Sequence, residues 1–489
     1  MLPLAYLVIR VTEAGWPRVW AIVARPNTLL LVGRSLLLTV TVTALCVGLG
    51  LGLALLVSRT DLPFRRFFGV AAALPLAIPS YVAAYAWLAA FRPMAGFGGA
   101  VLVLTACTYP YVYLPVVAAL RRSDPALEEV ARSLGYGTWR TAWTITARQV
   151  RGSVTAGALL VALYVLSDFG AVSLLRYDVF TRVIYSSYRA SFDRTPAAVL
   201  SVVLVLITIA VTVAETRTRR GTAAIAAASP AREPGSWLLG RWRWPAVGLT
   251  AGIVGVAIGF PAASLTFWIW RSQQAGIDWD RLGSSTWATV QVAVLGASVI
   301  TLLALPVGIL AARHRSRTTS LLEQAAYAGH GLPGIVVGLS LVFFGVRFVR
   351  PLYQEVPLLI VAYAALFLPI AIAAIRASVA MSSPQLEQVA QSLGKSSWQV
   401  MTRVTVPLAL PGVSAGFALV MLACMKELPA TLLLRPTGLD TVATSLWTHT
   451  DVVAYGSAAP YAAVLVLLGI APAWYLIRVH VRHRPRVLR

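Results

Sequence analysis

Eleven stretches of this chain are apolar for long enough to cross a lipid bilayer as helices, and no other property constrains the fold as strongly. A hydrocarbon core about 30 Å thick takes roughly 20 apolar residues at the helical rise. Stretches of that length lie near 35–58, 67–91, 100–120, 153–175 and 197–214. A second set lies near 246–270, 287–312, 325–348, 357–379, 411–434 and 458–479. Lipid offers no partner to backbone N–H and C=O groups, so each segment has to satisfy its own as a helix. Composition agrees: 58% of residues are hydrophobic, only 12% are charged and the mean hydropathy is +0.75. Soluble domains carry roughly twice that charged share. The expected class is an all-α integral membrane protein.

A net charge of +23 raises the question of nucleic acid. The arginines gather instead in alternate loops. They are Arg59, Arg65 and Arg66; Arg121, Arg122, Arg132, Arg140, Arg148 and Arg151; Arg217, Arg219, Arg220, Arg232, Arg241 and Arg243; Arg313, Arg315 and Arg317; and Arg482, Arg484, Arg486 and Arg489. Threading the segments in order puts all of these loops on one side, which the positive-inside rule makes the cytoplasm. Nucleic-acid binding by counterion release needs a continuous basic face, and this distribution does not supply one. Cys46, Cys107 and Cys424 lie in apolar segments without metal-ligand spacing and read as small packing residues.

One phrase occurs twice: Leu-Glu-Glu-Val-Ala-Arg-Ser-Leu-Gly from Leu127 to Gly135, and Leu-Glu-Gln-Val-Ala-Gln-Ser-Leu-Gly from Leu386 to Gly394. The offset of 259 residues (387 − 128) also pairs Pro125 with Pro384, Trp139 with Trp398, Gly157 with Gly416, Asp168 with Glu427, and Arg176 with Arg435. Upstream the register drifts, so that Leu114-Pro115 is set against Leu368-Pro369. Both loops fall on the same side, so the repeats are parallel and imply a pseudo-two-fold axis along the membrane normal with a path between the halves. The halves are placed at 1–214 and 246–489, joined over 215–245 by a cytoplasmic linker. Its Arg217-Thr218-Arg219-Arg220, Ala/Ser/Pro stretch and Pro234-Gly235-Ser236 are the composition of a flexible segment.

Pro3-Leu4-Ala5-Tyr6-Leu7 corresponds to Pro261-Ala262-Ala263-Ser264-Leu265, which ends an apolar run beginning near Ala246. Too few apolar residues precede Arg10 to span a bilayer. The first helix is therefore expected to be truncated, either because the true start lies upstream or because it is a stub. The count is about 11–12 transmembrane helices. No basic n-region marks a signal peptide.

Within the repeated phrase Leu127, Val130, Ala131 and Leu134 fall at i, i+3, i+4 and i+7, and Leu386, Val389, Ala390 and Leu393 repeat the stripe. That is one face of a short amphipathic helix. Ser123-Asp124-Pro125 and Ser382-Ser383-Pro384 suit helix starts, and Gly135 and Gly394 suit left-handed stops. Such a knob fits a groove in another protein by helix-in-groove recognition. Packing of the stripe on the chain's own helices accounts for the pattern equally well.

The phrase resembles the loop of permease subunits of binding-protein-dependent ABC importers, whose pattern is Glu-Ala-Ala, three residues, Gly, nine residues, then Ile-x-Leu-Pro. The first copy reads Glu129-Val130-Ala131, Gly135, then Ile145-Thr146-Ala147-Arg148; the second reads Gln388-Val389-Ala390, Gly394, then Val404-Thr405-Val406-Pro407. The first departs by lacking Leu-Pro and the second by carrying Gln for Glu. The fused two-permease layout resembles ferric-iron importers over nearly the whole chain. Ser167-Asp168-Phe169-Gly170 and the segment from Leu422 to Pro436 are similar to that branch. Thiamine and phosphonate importers share the layout.

The resemblance implies two parallel six-helix permease domains in a bacterial inner membrane, with the repeated loops and the C-terminus cytoplasmic. It implies that the loops dock on cytoplasmic ABC ATPase subunits through Glu128, Glu129, Ala131, Leu134, Gly135 and Trp139 in the first copy. In the second the set is Glu387, Gln388, Ala390, Leu393, Gly394, Trp398 and Pro407. It also implies that an extracytoplasmic substrate-binding protein meets the outer loops near 176–196 and 435–457. The chain itself is expected to be no enzyme and to hold no cofactor or resident metal. Gly394-Lys395-Ser396 looks like the end of a phosphate-binding loop, but Val389 stands where the first glycine belongs. A secondary transporter with parallel repeats is the reading from another class, though it leaves the matched knobs without a use.

Asp168 and Glu427 sit in otherwise apolar helices, where an unpaired carboxylate costs several kcal/mol. They are the candidate residues of a cation path; a structural anchor, such as the cap of a broken helix near Pro429, is the alternative. Tyr81, Tyr85, Tyr109, Tyr111 and Tyr113 read as an interfacial aromatic belt. Gly48-x-x-x-Gly52 reads as a close helix contact. His314, His330, His449, His480 and His483 are scattered without ligand spacing.

Overall fold

A computed structural model describes residues 2–122, 125–190, 193–219, 237–313, 316–317, 319, 321–322, 326 and 331–482. Short α1 (Leu2–Glu13) and α2 (Trp16–Val23) open the chain, and α3 (Pro26–Arg59) is the first long helix. Then come α4 (Arg65–Ala71), α5 (Ser80–Ala90), α6 (Phe97–Thr108), α7 (Pro110–Arg122), α8 (Pro125–Ser133) and α9 (Thr138–Thr141). The first half finishes with α10 (Ala147–Ser167), α11 (Gly170–Leu174), α12 (Phe180–Ala190) and α13 (Thr195–Arg219). The second half runs through α14 (Arg243–Val254), α15 (Phe260–Ala275), α16 (Trp279–Arg313), α17 (Gly334–Phe348) and α18 (Val356–Met381). It continues with α19 (Pro384–Ser392), α20 (Ser397–Val400), α21 (Val406–Lys426), α22 (Pro429–Leu434), α23 (Val442–Asp451) and α24 (Tyr455–Arg482).

Among the described residues eight helical stretches are long and apolar enough to cross a membrane, from Pro26–Arg59 to Ser397–Lys426. A ninth position is a pair, Arg65–Ala77 and Ser80–Ala90, bent by 93°. Shorter apolar helices at Gly334–Phe348 and Tyr455–Ile470 occupy the remaining two of the eleven expected places. The bend has a local cause. Proline disfavours helical backbone in the residue before it, and Ile78, at φ −89° and ψ 120°, leaves the helix ahead of Pro79.

Two compact units form, and they are not the two sequence halves. One comprises Gly15–Trp270; the other comprises Met1–Ala14 with Arg271–Arg489. In the first unit α14 packs on α4, Val57, Leu62, Phe68 and Ala246 share a core, and Trp87 stacks on Phe260 at 3.8 Å. In the second unit α1 packs on α17 and Glu13 pairs with Arg347. The opening helix of each half is thus counted with the body built by the other half, because its apolar face finds its packing there. α2 is tied down in the first unit by Arg18 and Asp193 at 2.6 Å; hydrogen bonds from Thr195, with Arg18 beside them, hold the Asp193 carboxyl below its ordinary range.

Part of the segment 215–245 lies among the described residues. Residues 215–219 continue α13, while 220–236 lie outside the described residues. Trp237 is held through its backbone: its N–H donates to Arg59 O at 2.7 Å, and its carbonyl accepts from Asp61 N–H at 3.2 Å.

Candidate functional site

The repeated phrase folds as a helix, a sharp turn and a second short helix in both copies. Ser383 caps α19, its hydroxyl accepting from Gln385 N–H, and Pro384 occupies the first turn. Gly135 and Gly394 both adopt φ +80°, a region open to glycine without a Cβ clash. Tyr136 N–H bonds Ala131 O at 3.0 Å, and Lys395 N–H bonds Ala390 O at 3.1 Å. These six-to-one bonds are Schellman stops, which satisfy the last carbonyls of each helix. A single widened π turn follows in each copy, Ala142–Thr146 and Met401–Thr405, at the same 259-residue offset (401 − 142).

The apolar stripe is largely uncovered. Leu134 is 71% exposed, Leu393 74% and Trp398 72%, and Leu127, Val130, Leu386 and Val389 are exposed as well. Ala131 is buried and Ala390 half-buried, so only the small residue of each stripe packs inward. Glu129, Gln388 and Pro407 are exposed. Trp139 lies in α9, and its side chain falls outside the described residues.

Glu128 and Glu387 behave differently from the rest of the phrase. Glu128 is buried, 3.2 Å from Arg59 Nη2, and accepts from Thr146 Oγ1 at 2.9 Å. Glu387 lies 2.9 Å from Arg313 Nη2 and accepts from Thr405 Oγ1 at 3.0 Å. Sequence reasoning placed Arg59 and Arg313 among loop arginines and missed both threonines. A signal existed: the arginines differ by 254 residues (313 − 59), the upstream offset shared by Pro115 and Pro369, and the threonines by 259 (405 − 146).

Asp168 and Glu427 do not sit within continuous helices; they end them. α10 stops at Ser167 and α21 at Lys426, and both acids take extended backbone, with ψ 128° and 125°. Asp168 accepts from Ala171 N–H at 3.0 Å, Val172 N–H at 3.3 Å and the Ser80 hydroxyl. Glu427 accepts from Ala430 N–H and Thr431 N–H, each at 2.9 Å, and from the Thr431 hydroxyl. A carboxylate at a helix start satisfies orphan N–H groups and meets the positive end of the helix dipole. That is how each acid resides in an apolar interior. The neighbour adjusts to acid length: Ser80 reaches the shorter Asp168, whereas Gly334 leaves room for Glu427, whose Oε1 would lie 2.9 Å from a Cβ there.

Two expectations need correction. Tyr81, Tyr85, Tyr109 and Tyr113 are buried rather than belted around the interface, because α5 and α7 are enclosed by α3, α6, α10 and α11. Gly48 and Gly52 face open space; Gly50 makes the close approach, with the position of its missing Cβ 2.8 Å from Val112 Cβ.

A family model described as the inner membrane component of binding-protein-dependent transport systems matches the chain twice, over residues 44–220 and 304–482. The chain is 36% identical over 481 residues to the Fe(3+)-transport system permease protein FbpB 2 of Haemophilus influenzae, covering 97% of this chain and 95% of that one. It is 29% identical over 196 residues to the putative 2-aminoethylphosphonate transport system permease protein PhnV of Salmonella typhimurium, 39% of this chain and 72% of the relative. It is 36% identical over 141 residues to the molybdenum transport system permease protein ModB of Haemophilus influenzae, 27% of this chain and 62% of the relative. The chain therefore belongs to the family of binding-protein-dependent transport system inner membrane components, as one polypeptide carrying two permease domains.

Proposed function

We propose that this permease carries ferric iron from an extracytoplasmic binding protein into the cytoplasm, driven by ABC ATPase subunits supplied by other chains. Identity to an Fe(3+)-transport permease over nearly the whole length of both proteins supports the substrate. The one observation that carries the docking role is the solvent-facing apolar stripe on both copies of the repeated helix. A stripe of leucine, valine and tryptophan left open on a rigid turn suits a groove in a partner. In this reading Glu129, Leu134, Trp139, Gln388, Leu393, Trp398 and Pro407 face the ATPase on the cytoplasmic side. Ala131, Ala390, Gly135 and Gly394 set the turn, and Glu128 and Glu387 hold it from beneath. Asp168 and Glu427 serve the translocation path by keeping its helices broken, since irregular backbone within a membrane belongs where protein or a cavity covers it.

The test is co-purification from the native membrane. The wild type should bring down a cytoplasmic ATPase, and valine at both Gly135 and Gly394 should release it, because φ +80° strains a β-branched residue. In proteoliposomes with the neighbouring binding protein, ATP should drive uptake of ferric ion but not of 2-aminoethylphosphonate. Replacing Asp168 and Glu427 by their amides should abolish that uptake with the ATPase still bound. Uptake driven by an ion gradient without ATP would overturn the importer reading.

A further inference from the structure

Glu128 and Glu387 stand on the docking helices yet turn away from the exposed stripe. Each meets the C-terminal arginine of the long helix in its own unit: Arg59 ends α3 and Arg313 ends α16. The same guanidinium reaches a third element, Arg59 donating to Leu120 O at 3.3 Å and Arg313 to Ser382 O at 3.1 Å and to Ser382 Oγ at 2.6 Å. Thr146 and Thr405 bring in the π turn as a fourth. A planar guanidinium with a forked set of donors suits such a junction, because charge-assisted bonds in several directions fix its orientation.

The opposite ends of α3 and α16 carry ion pairs too. Arg34 on α3 lies 3.8 Å from Asp178, which also pairs with Arg182. Arg281 on α16 lies 3.6 Å from Asp440, which also pairs with Arg435. At about 1.5 Å per residue the two arginines of α3 are roughly 38 Å apart along the helix, and those of α16 roughly 48 Å. Each long helix therefore meets the docking helix at one end through a buried or part-buried pair, and near the other it carries a weaker, solvent-exposed ion pair with the segment after the broken helix. The arrangement occurs in both units although the outer arginines and aspartates are not register equivalents.

We propose that Arg59 and Arg313 are positioning residues for transport: through Glu128 and Glu387 they fasten each docking helix to the end of its long transmembrane helix, so that the two move as one body. The proposal rests on the docking role proposed above. A displacement of the loop then reaches the outer segment along a stiff helix instead of being absorbed in the turn at Gly135 or Gly394.

The experiment uses the complete transporter in proteoliposomes, with ferric ion on the binding protein as probe, or 2-aminoethylphosphonate should the wild type take up that instead. Two quantities are read: solute taken up per ATP hydrolysed, and ATPase retained on the chain. The second unit is chosen because its pair is the less buried, so its variants are the better able to fold. Arg313→Gln and Glu387→Gln should each lower uptake per ATP by about tenfold with the ATPase retained. The double variant should be no worse than the worse single, since residues acting through one contact are not additive. Arg313→Lys, which keeps the charge but not the forked donors, should recover only part of the loss. Wild-type coupling in either single variant would overturn the proposal, as would losses that multiply to about a hundredfold in the double variant. Release of the ATPase by Glu387→Gln but not by Arg313→Gln would overturn it as well, by making Glu387 a direct contact. If the wild type itself retains no ATPase, the docking role falls and this proposal falls with it; if it retains ATPase and the variants stay coupled, only the fastening falls.

Discussion

The ion pair beneath the first copy of the repeated helix is sealed from solvent, with side-chain exposures of 0% for Arg59 and 5% for Glu128. In the second half Arg313 and Glu387 stand at 11% and 19%. Backbone register puts the same chemistry in the same place twice, while packing sets how much each copy weighs. Removing one partner of a sealed pair strands a charge in a medium that cannot solvate it. The same removal in the second half leaves a charge with some access to water. The two loops are thus alike in geometry and unequal in what holds them.

The largest expected effect tests this inequality directly. Arg59→Met should cost about 3–5 kcal/mol, the usual penalty for breaking a buried pair. Arg313→Met should cost about 1–3 kcal/mol, in the range of lost hydrogen bonds to a charged group. Thermal unfolding of the purified chain in one detergent measures both, and equal losses would break the comparison.

A smaller effect sharpens the comparison between the helix breaks. Gly334→Ser writes the first half's residue into the second and drives a Cβ to 2.9 Å from Glu427 Oε1 and 3.0 Å from Pro429 Cγ. Overpacking of this kind costs about 1–3 kcal/mol. Combining it with Glu427→Asp restores the first half's pairing of a short acid with serine and should recover part of the loss. No recovery would mean that Ser80 and Gly334 are not matched to their acids.

The smallest effect concerns two tyrosines at the 254-residue offset (363 − 109). Tyr363 shares a hydrogen bond with Thr431 at 2.8 Å, whereas the Tyr109 hydroxyl is buried without a hydrogen-bond partner among the described residues. Val172 stands in the first half where Thr431 stands in the second. Tyr363→Phe should cost about 0.5–1.5 kcal/mol, while Tyr109→Phe should be neutral or mildly stabilising because it removes a desolvated group without a hydrogen-bond partner among the described residues. A loss on Tyr109→Phe would reveal a partner in that pocket.

Much of this molecule is legible along the chain. Apolar length locates all eleven hydrophobic segments, and the i, i+3, i+4, i+7 spacing together with Gly135 and Gly394 describes the repeated helix and turn down to the left-handed stop. The helix ends at Asp168 and Glu427 were harder, because the apolar runs continue past both acids and hydropathy registers no interruption there. Burial of Tyr85 and Tyr109 was missed for a related reason. An aromatic near a helix end looks the same in sequence whether lipid headgroups or other helices surround it.

What the sequence alone determined are the local quantities: which segments need lipid, where helices start and stop, and that two halves share one plan. Each follows from a residue's own chemistry and its neighbours within a turn or two, where spacing is the whole of the geometry. Tertiary structure decided the rest. It set the opening helix of each half in the unit built by the other. It brought Arg59 to Glu128 and Arg313 to Glu387, and left the stripe of Leu134 and Leu393 open. Those outcomes depend on which surfaces meet and which exclude solvent, and burial is a property of the assembled body that no single segment carries.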